Sequence, residues 1–461
     1  MQRDGSHIPF VTSGSYPIRH GNRVIPLVDG EPAFRRICEA VETAETSVWA
    51  TIAFHYPDFE MPDGRGSLFD VLDAAVERGI DVRVIFWRHR LFSELRPDVH
   101  FAGTEKDLAM LRARGSRFLA RWDQAHGAYC QHQKSWIVDA GRPTETSFVG
   151  GINLNPNSCV PVGHPVRTQG GTTHDVYVEI QGPAATDVHH NFVQRWNEAS
   201  DRDEPDGLWP DASCQDLLPF PEVASAPIGA VPVQIQRTVR REHYRDGRPA
   251  PGAAPFDIRN GEFSVVDQYR QALDAARRSI YIEDQAIASP EVVERLKGAL
   301  ERGVEVVFLA PRIENKEMIA GREDPKNAAF FEAVAALGDH DNFTLACIAQ
   351  SLPEGGHQNI YVHSKIALVD DVWGTIGSTN VANRSFYGDT ELNASFWHRP
   401  TVTELRRNLL LEHLAVDTAG HDDVEALRLF ARIARENASR YARGEKLVGL
   451  AFAVDASTYA S

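Results

Sequence analysis

The sequence is an imperfect duplication of one α/β unit. Each copy contains a helix-period pattern that runs into a strand, then an amphipathic helix ended by Arg-Gly and a buried strand, and finally a strand followed by a helix that begins near a proline. The matching segments are 34–54, 67–87 and 175–198 in the first half and 266–286, 290–310 and 391–414 in the second. The copies extend over about 180 residues each, far longer than a solenoid repeat.

This repetition predicts the architecture. Strands that alternate with helices of 10–15 residues indicate βαβ units and a largely parallel sheet. We expect a duplicated α/β fold whose two sheet units pack about a pseudo-twofold axis. The first domain covers 1–200, a linker rich in Pro, Asp, Ser and Ala covers 201–231, and the second domain covers 232–461. The second domain ends in a helical tail, expected to be helical to about Leu447.

One motif occurs at the same place in each half. Residues 132–139 read HQKSWIVD and residues 363–370 read HSKIALVD, so both follow H-x-K-x-x-x-x-D. Each is followed by a turn, a short strand and G-[GS]-x-N, at 150–153 and 377–380. The connection is four residues longer in the first half, which predicts a longer surface turn there. Two such matches in register make chance a poor explanation.

Strand geometry assigns the motif residues to faces. Side chains alternate along a strand, so the His and the Lys of each motif share one face and the acid points away. The shared faces carry His132 with Lys134 and His363 with Lys365, and the acids are Asp139 and Asp370. We expect both acids to brace the backbone or a turn rather than to contact substrate.

Packing the copies together predicts one shared pocket with two His, two Lys and two Asn. Asn153 and Asn380 are candidate phosphate ligands, although Asn after Gly is also a common turn residue. Each catalytic His needs a carboxylate on its other ring nitrogen. Asp175 and Glu391 begin equivalent strands and are the candidates, with a surface position as the alternative.

This set of side chains suits phosphodiester cleavage. Lysines and amides stabilise the charge on the non-bridging oxygens without a metal ion. One imidazole can attack phosphorus, and the other can protonate the leaving alkoxide and then activate water or an alcohol. The two pKa values must therefore be pushed apart.

The doubled motif resembles the phospholipase D superfamily. The resemblance covers nearly the whole chain, including RSIYIEDQ at 278–285 and NRSFYGDTE at 383–391. It implies two fused α/β domains with one interfacial, metal-free active site and no cofactor. It also implies roles for eight residues: His132 as nucleophile, His363 as acid, Lys134, Lys365, Asn153 and Asn380 on the phosphate, and Asp175 and Glu391 as orienting acids.

The expected activity is hydrolysis or transphosphatidylation of a glycerophospholipid. The alternatives are a cardiolipin synthase-like phosphatidyl transferase, a nuclease-type phosphodiesterase and, at the margin, a non-enzymatic binding module. A net charge of −16 argues against a dedicated nucleic-acid binder. The expected partners are a phospholipid at a membrane surface and a water or alcohol acceptor. A monomer is sufficient, because both half-sites lie in one chain.

The remaining features give weaker expectations. Without a visible signal peptide or spanning segment, we expect a cytoplasmic protein that contacts membranes peripherally. Five scattered cysteines argue against a disulfide framework or a structural zinc site. His174, His189 and His190 are interpreted as surface or helix residues. Segment 88–97 either rims the pocket or forms a solvated loop.

Overall fold

The structure is a computed structural model that describes residues 6–88, 101, 104–125, 127, 129–202, 216–312 and 316–460. The elements of the first half are, in chain order, β1 Arg19–Val28, α1 Gly30–Glu42, β2 Ser47–Ile52, β3 Glu60–Met61, β4 Gly66–Ser67, α2 Leu68–Glu77, β5 Asp81–Arg88, α3 Glu105–Arg114, β6 Leu119–Gln124, β7 Ser135–Val138, β8 Thr146–Gly150, β9 Thr172–His174, β10 Val176–Gln181 and α4 Pro183–Asn197. A 3₁₀ turn follows at Ser200–Arg202.

The second half repeats the same order with additions. Its elements are β11 Val231–Val239, β12 Glu262–Phe263, α5 Ser264–Ala275, β13 Ser279–Glu283, α6 Pro290–Glu301, β14 Glu305–Leu309, α7 Lys316–Glu323, α8 Ala328–Leu337, β15 Phe343–Ser351, β16 His357–Val362, β17 Ile366–Val369, β18 Trp373–Gly377, α9 Asn383–Tyr387, β19 Glu391–Phe396, α10 Arg399–Leu414, α11 Asp423–Ala442 and β20 Ala451–Ala453. Three 3₁₀ turns lie at Ile258–Asn260, Pro325–Asn327 and Ala456–Thr458.

The strand order confirms the duplication. In the first half the strands pair in the order β6-β5-β2-β7-β8-β10-β1, and in the second in the equivalent order β15-β14-β13-β17-β18-β19-β11. The equivalent edge strands β1 and β11 pair antiparallel and join the two units into one sheet. Antiparallel pairing of equivalent strands is the relation that a pseudo-twofold axis produces.

The prediction of a largely parallel sheet is wrong. Within each unit, parallel pairing is confined to β2-β5-β6 and to β13-β14-β15 among the described strands. The strands after each motif form antiparallel hairpins instead, β7 with β8 and β17 with β18. Short turns rather than helices connect these strands, and a short turn reverses the chain direction.

Local sequence explains the repeated helices. The helix α2 begins with a capping box in which Ser67 and Asp70 exchange hydrogen bonds. After α2 and α6 the chain turns at Gly79 and Gly303, which have φ of 86° and 83°. This left-handed conformation favours glycine, as the Arg-Gly pattern predicts. The apolar helix faces pack on the sheet, and one core cluster combines residues of both halves.

The predicted linker can be compared with the structure only in part, and the predicted helical tail ends earlier than expected. Residues 203–215 of the linker lie outside the described part, and 216–230 contain no helix or strand. The tail helix α11 ends at Ala442, before the predicted end at Leu447, and strand β20 then pairs with β15. The tail therefore adds a strand to the sheet, because its short apolar segment Ala451–Ala453 pairs along the edge of β15.

The interpretation of three histidines needs correction. His174 lies in β9 and is fully buried, so it is neither a surface nor a helix residue. His189 and His190 lie on α4 as expected, but both are buried as well. His189 Nδ1 lies 2.8 Å from Glu145 Oε1, and His190 Nδ1 lies 3.1 Å from the Tyr16 hydroxyl. Polar partners make this burial tolerable.

Candidate active site

The His and Lys of each motif lie in extended segments just before a strand. His132 and Lys134 precede β7, and His363 and Lys365 precede β17. The regular strand therefore begins one residue after each Lys, later than the sequence pattern suggests. Both lysines are at most 1% exposed, so the motif chemistry lies in a nearly dry site.

Short stretches of parallel backbone pairing between the halves position the two motifs next to each other. Gln131 pairs with Thr390 in a parallel bridge, and the backbone N–H of His132 donates to the carbonyl of Thr390 at 2.9 Å. On the other side β16 pairs with β9 in parallel, and the N–H of His363 donates to the carbonyl of His174 at 2.8 Å. Each motif segment thus lies beside the segment of the other half that precedes an acid.

As a result, each histidine contacts the carboxylate of the opposite half. His132 Nδ1 lies 3.0 Å from both oxygens of Glu391. His363 Nδ1 lies 2.6 Å from Asp175 Oδ2. With Nδ1 occupied, Nε2 is the ring nitrogen left to react in both histidines.

The two lysines are held in place by the backbone of their own motifs. Lys134 Nζ donates to the carbonyl of His132 at 2.8 Å, and Lys365 Nζ donates to the carbonyl of His363. Burial lowers the pKa of Lys134 to about 8, and it lowers the pKa of Lys365 as well. A buried cation gains most from an anionic ligand, because little water competes for it.

Both histidines are biased toward the neutral form. Burial is the largest cause, and the charge of the neighbouring lysine adds to it. Together they lower the pKa of His363 to about 4 and hold the pKa of His132 well below its usual range. An anionic phosphate between the lysines would offset their field and allow one imidazole to take up a proton.

The two acids differ in their surroundings. Burial raises the pKa of Glu391 to about 7, and the hydroxyl of Ser378 donates to its Oε2. Asp175 accepts the N–H of Val176 at 2.8 Å on Oδ1 and contacts His363 through Oδ2. Both acids are fully buried, so the alternative of a surface position is wrong.

The G-[GS]-x-N turns close the site. The side-chain oxygens of Asn153 and Asn380 are buried and accept no hydrogen bond from the described residues. An unpaired buried carbonyl oxygen is costly and is open to a further hydrogen-bond donor. An anionic group can be bound only by the Nδ2–H groups of the same amides. Gly151 is needed for space, since a Cβ there would lie 2.5 Å from Asp175 Oδ1 and 3.0 Å from Lys365 Cδ.

The motif acids accept backbone N–H groups and contact polar side chains, including His7, whose Nε2 lies 2.6 Å from Asp370 Oδ2. Asp139 Oδ1 accepts the N–H groups of Glu45 and Thr46 at 2.9 and 2.7 Å. Asp370 Oδ1 accepts those of Arg278 and Ser279 at 2.8 and 2.9 Å. Each acid therefore ties its motif strand to the chain entering the neighbouring strand of the same half, away from the shared site.

Sequence reasoning missed three polar residues around the site. Ser378 donates to Glu391, and Asp389 Oδ1 accepts the N–H of Cys130 at 2.7 Å. Asp284 accepts the N–H of Val381, and burial raises its pKa to about 7. Each of the three lies close to a repeated segment, and this proximity is the sequence signal that could have identified it.

Segment 88–97 was expected either to rim the pocket or to form a solvated loop. The structure does not test these two expectations, because residues 89–97 lie outside the described residues.

Helices in the described residues are too short or too polar to cross a membrane. The arrangement itself consists of two imidazoles with lowered pKa values, two buried lysines and two side-chain amides. These groups can bind an anionic tetrahedral group and attack it from one side while protonating it from the other.

Comparisons with known proteins indicate the superfamily and the fold. A family model described as "Cardiolipin synthase, PLD-like domain" matches residues 269–411. Phospholipase D A of Dictyostelium discoideum is 23% identical over 86% of this chain, and the match spans 34% of that protein. The major cardiolipin synthase ClsA of Bacillus subtilis (strain 168) is 24% identical over 85% of this chain and 69% of its own length.

A solved structure has the same fold. The crystal structure of phosphatidylserine synthase from Haemophilus influenzae Rd KW20 matches with a TM-score of 0.58 at 12% identity, covering 94% of this chain and 97% of the other. Fold and sequence similarity thus extend over both halves, which agrees with the duplicated strand order. Together these similarities support a phospholipase D superfamily protein.

Proposed function

We propose that this protein is a phosphodiesterase of the phospholipase D type that acts on glycerophospholipids through a phospho-histidine intermediate. The observation that carries the proposal is the crossed pairing of His132 with Glu391 and of His363 with Asp175 across one interface. Two oriented imidazoles beside two buried lysines provide a nucleophile, an acid and a site for the phosphate charge.

The first step forms a bond between His132 Nε2 and phosphorus. The bond from phosphorus to the head-group oxygen breaks, and His363 Nε2–H gives its proton to the leaving alkoxide. Lys134, Lys365 and the amides of Asn153 and Asn380 stabilise the charge on the non-bridging oxygens. All of these groups belong to the chain, so the proposed chemistry requires no metal.

The second step releases the enzyme. His363, now neutral, accepts a proton from water or an alcohol, whose oxygen attacks phosphorus as the bond to His132 breaks. Water yields phosphatidate, and an alcohol yields a new phosphodiester. One covalent intermediate therefore supports both hydrolysis and transfer.

A cardiolipin synthase-like transferase is the second candidate. It is favoured by the match of 269–411 to the cardiolipin synthase family model and by the similarity to the Bacillus subtilis protein. In that case the acceptor alcohol is a second phosphatidylglycerol. A nuclease-type phosphodiesterase is the third alternative, and the net charge of −16 disfavours a long polyanionic substrate.

One substrate panel tests the proposal. Purified protein is incubated with EDTA and with vesicles of phosphatidylcholine or phosphatidylglycerol, single-stranded DNA or a chromogenic phosphodiester. We expect phosphatidate and free head group from the vesicles, and a phosphatidyl alcohol when ethanol is added. Cardiolipin and glycerol from phosphatidylglycerol would identify the transferase instead.

Matched variants make the result specific. His132→Ala and His363→Ala are expected to abolish lipid turnover, whereas His189→Ala removes an equally buried histidine outside the site and is expected to retain it. DNA cleavage without lipid turnover would overturn the lipid substrate. Loss of activity immediately on addition of EDTA, with the fold intact by circular dichroism, would contradict metal-free chemistry.

A further inference from the structure

A fully buried polar cluster lies between the halves, outside the groups used in the proposed reaction. It consists of three histidines and three carboxylates: Asp29, His164, His174, Glu283, Glu412 and His413. Each of these side chains is at most 1% exposed. The first three belong to the first half of the chain and the other three to the second, so the cluster spans the interface.

Four of these residues, Asp29, His164, His174 and Glu412, each offer one ligand atom, and these atoms all lie within 4.8 Å of one another. Asp29 Oδ1 lies 2.9 Å from His174 Nδ1 and 3.2 Å from His164 Nε2, and the two nitrogens are 3.4 Å apart. Glu412 Oε1 lies 3.4 Å from His164 Nε2, and Glu412 Oε2 lies 3.9 Å from His174 Nδ1. Tetrahedral zinc with bonds of about 2.0–2.2 Å keeps its ligand atoms about 3.3–3.6 Å apart.

Hydrogen bonding within the protein leaves part of this cluster unsatisfied. Glu412 Oε1 accepts the N–H of Gly163 at 2.9 Å, but Glu412 Oε2 has no hydrogen-bond partner among the described residues. Asp29 Oδ2 is likewise buried without a partner. The imidazoles can form ion pairs with these carboxylates, or the same nitrogens and oxygens can bind one metal cation. The unpaired Glu412 Oε2 favours the cation, because a buried carboxylate oxygen without a partner is costly.

Glu283, which contacts the other ring nitrogen of His174, also fits a bound cation. His174 Nε2 lies 3.0 Å from Glu283 Oε2, so the nitrogen opposite the convergent point is bound to a carboxylate. Glu283 is itself held by the hydroxyls of Ser364 and Tyr281, each at 2.6 Å, and by His413 Nε2 at 3.1 Å. Metal-bound histidines typically donate their other N–H to such a fixed carboxylate.

We propose that Asp29, His164, His174 and Glu412 bind one divalent transition-metal ion, most simply zinc, as a structural site. Two imidazole nitrogens favour zinc over calcium or magnesium, which prefer oxygen ligands. The site has four protein ligands and is closed to solvent, as structural zinc sites are. It departs from the expectation of a metal-free chain and leaves the proposed chemistry unchanged.

The ion would fasten the first half of the chain to helix α10 beside the catalytic groups. His174 immediately precedes Asp175, and its carbonyl accepts the N–H of His363. The proposal does not rest on the proposed enzymatic activity, since metal content and stability can be measured on an inactive variant.

The test measures metal in purified protein. The full chain is expressed in zinc-supplemented medium, purified without chelator and analysed by inductively coupled plasma mass spectrometry. We expect about one zinc per chain in the unmodified protein and in the catalytically disabled His132→Ala variant. Glu412→Gln keeps the size of the side chain, and both it and His164→Ala are expected to lose the metal. His189→Ala, a buried histidine of another carboxylate pair, is expected to keep it.

Cobalt provides a second readout. Protein produced with Co²⁺ instead of Zn²⁺ should show the intense visible absorption of tetrahedral cobalt, and Glu412→Gln should not. Metal-loaded protein should also unfold at a higher temperature than the same protein stripped of metal during unfolding and refolding. A folded protein without bound metal, whose unfolding temperature does not respond to Zn²⁺ or Co²⁺, would overturn the proposal and leave a buried imidazolium network. Retention of the metal by Glu412→Gln and His164→Ala would overturn the ligand set.

Discussion

The two half-sites share one backbone plan but differ in the groups that surround each acid. Glu391 contacts His132 with both oxygens and also accepts the hydroxyl of Ser378. Its counterpart Asp175 contacts His363 with one oxygen at 2.6 Å and lies against Gly151, which has no side chain. The two halves therefore keep the motif residues and the acids at equivalent positions, whereas the neighbouring positions differ.

The proposed reaction gives the two histidines different chemical roles and therefore requires such an asymmetry. A nucleophile must be neutral and an acid must carry a proton, so two identical environments would serve neither role well. Burial raises the pKa of Glu391 to about 7, which weakens its ability to stabilise a positive charge on His132. The short contact from Asp175 favours the proton-carrying role for His363.

The largest expected effect distinguishes the two histidines. His132→Ala should lower kcat by about 10⁴-fold or more on every substrate, because no covalent intermediate forms. His363→Ala should lose about 10²–10⁴-fold on phosphatidylcholine, but much less in the burst of p-nitrophenol from a chromogenic diester, whose leaving group needs no proton. Rapid-quench kinetics with trapping of labelled phosphate on the protein measures both. A burst in His132→Ala but not in His363→Ala would reverse the assignment.

The next largest expected effect tests the contacts between each histidine and the acid of the opposite half. Glu391→Gln and Asp175→Asn should each lower kcat/KM by about 10–100-fold, because each leaves one imidazole poorly oriented. In double-mutant cycles on kcat/KM, the losses caused by Glu391→Gln and His132→Ala should be strongly non-additive, because the acid acts through this histidine. The same-half combination of Asp175→Asn with His132→Ala is the control, and stronger coupling there would contradict the crossed arrangement.

A smaller effect is expected at the position where the half-sites diverge. Gly151→Ala places a Cβ within 2.5 Å of Asp175 Oδ1, so it should displace the acid and lower kcat/KM by about 10²-fold. Ser378→Ala removes one hydrogen bond from Glu391 and should cost about 10-fold. Steady-state kinetics and the thermal midpoint measure both, and equal effects would indicate that the two turns are interchangeable.

The smallest effect is a change in the pH dependence of stability. Because the folded pKa of Glu391 is raised to about 7, its folded state keeps a proton that the unfolded state loses. The resulting stabilisation is complete below the unfolded pKa, near about 4.3, and is lost as pH rises through about 7. The free energy of unfolding of Glu391→Gln should therefore rise by about 1–3 kcal/mol relative to the unmodified protein between pH 4.5 and 7.5.

The control for this measurement is Glu39→Gln, which removes one carboxylate from an exposed position. Urea unfolding followed by circular dichroism at several pH values gives the two differences. A constant difference between Glu391→Gln and the unmodified protein across this range would show that Glu391 is ionised in the folded protein.

Much of the fold followed from local pattern. The helix and strand segments of both copies, the glycine turns at Gly79 and Gly303 and the equivalence of the halves depend on periodicity and backbone preference, which neighbouring residues determine. The pairing direction of the strands after each motif and the strand β20 were not predictable in this way. They depend on which sheet positions the rest of the chain leaves open.

For the candidate site, the sequence by itself determined which residue types recur and in which order. Repetition alone singled out both histidines, both lysines and the two strand-start acids. Only the tertiary structure decided that each acid serves the histidine of the other half, because parallel contacts such as Gln131 with Thr390 form between segments far apart in the chain. The same reason hid the cluster around His174: its members share no sequence pattern, and only the packing of the two halves brings them together.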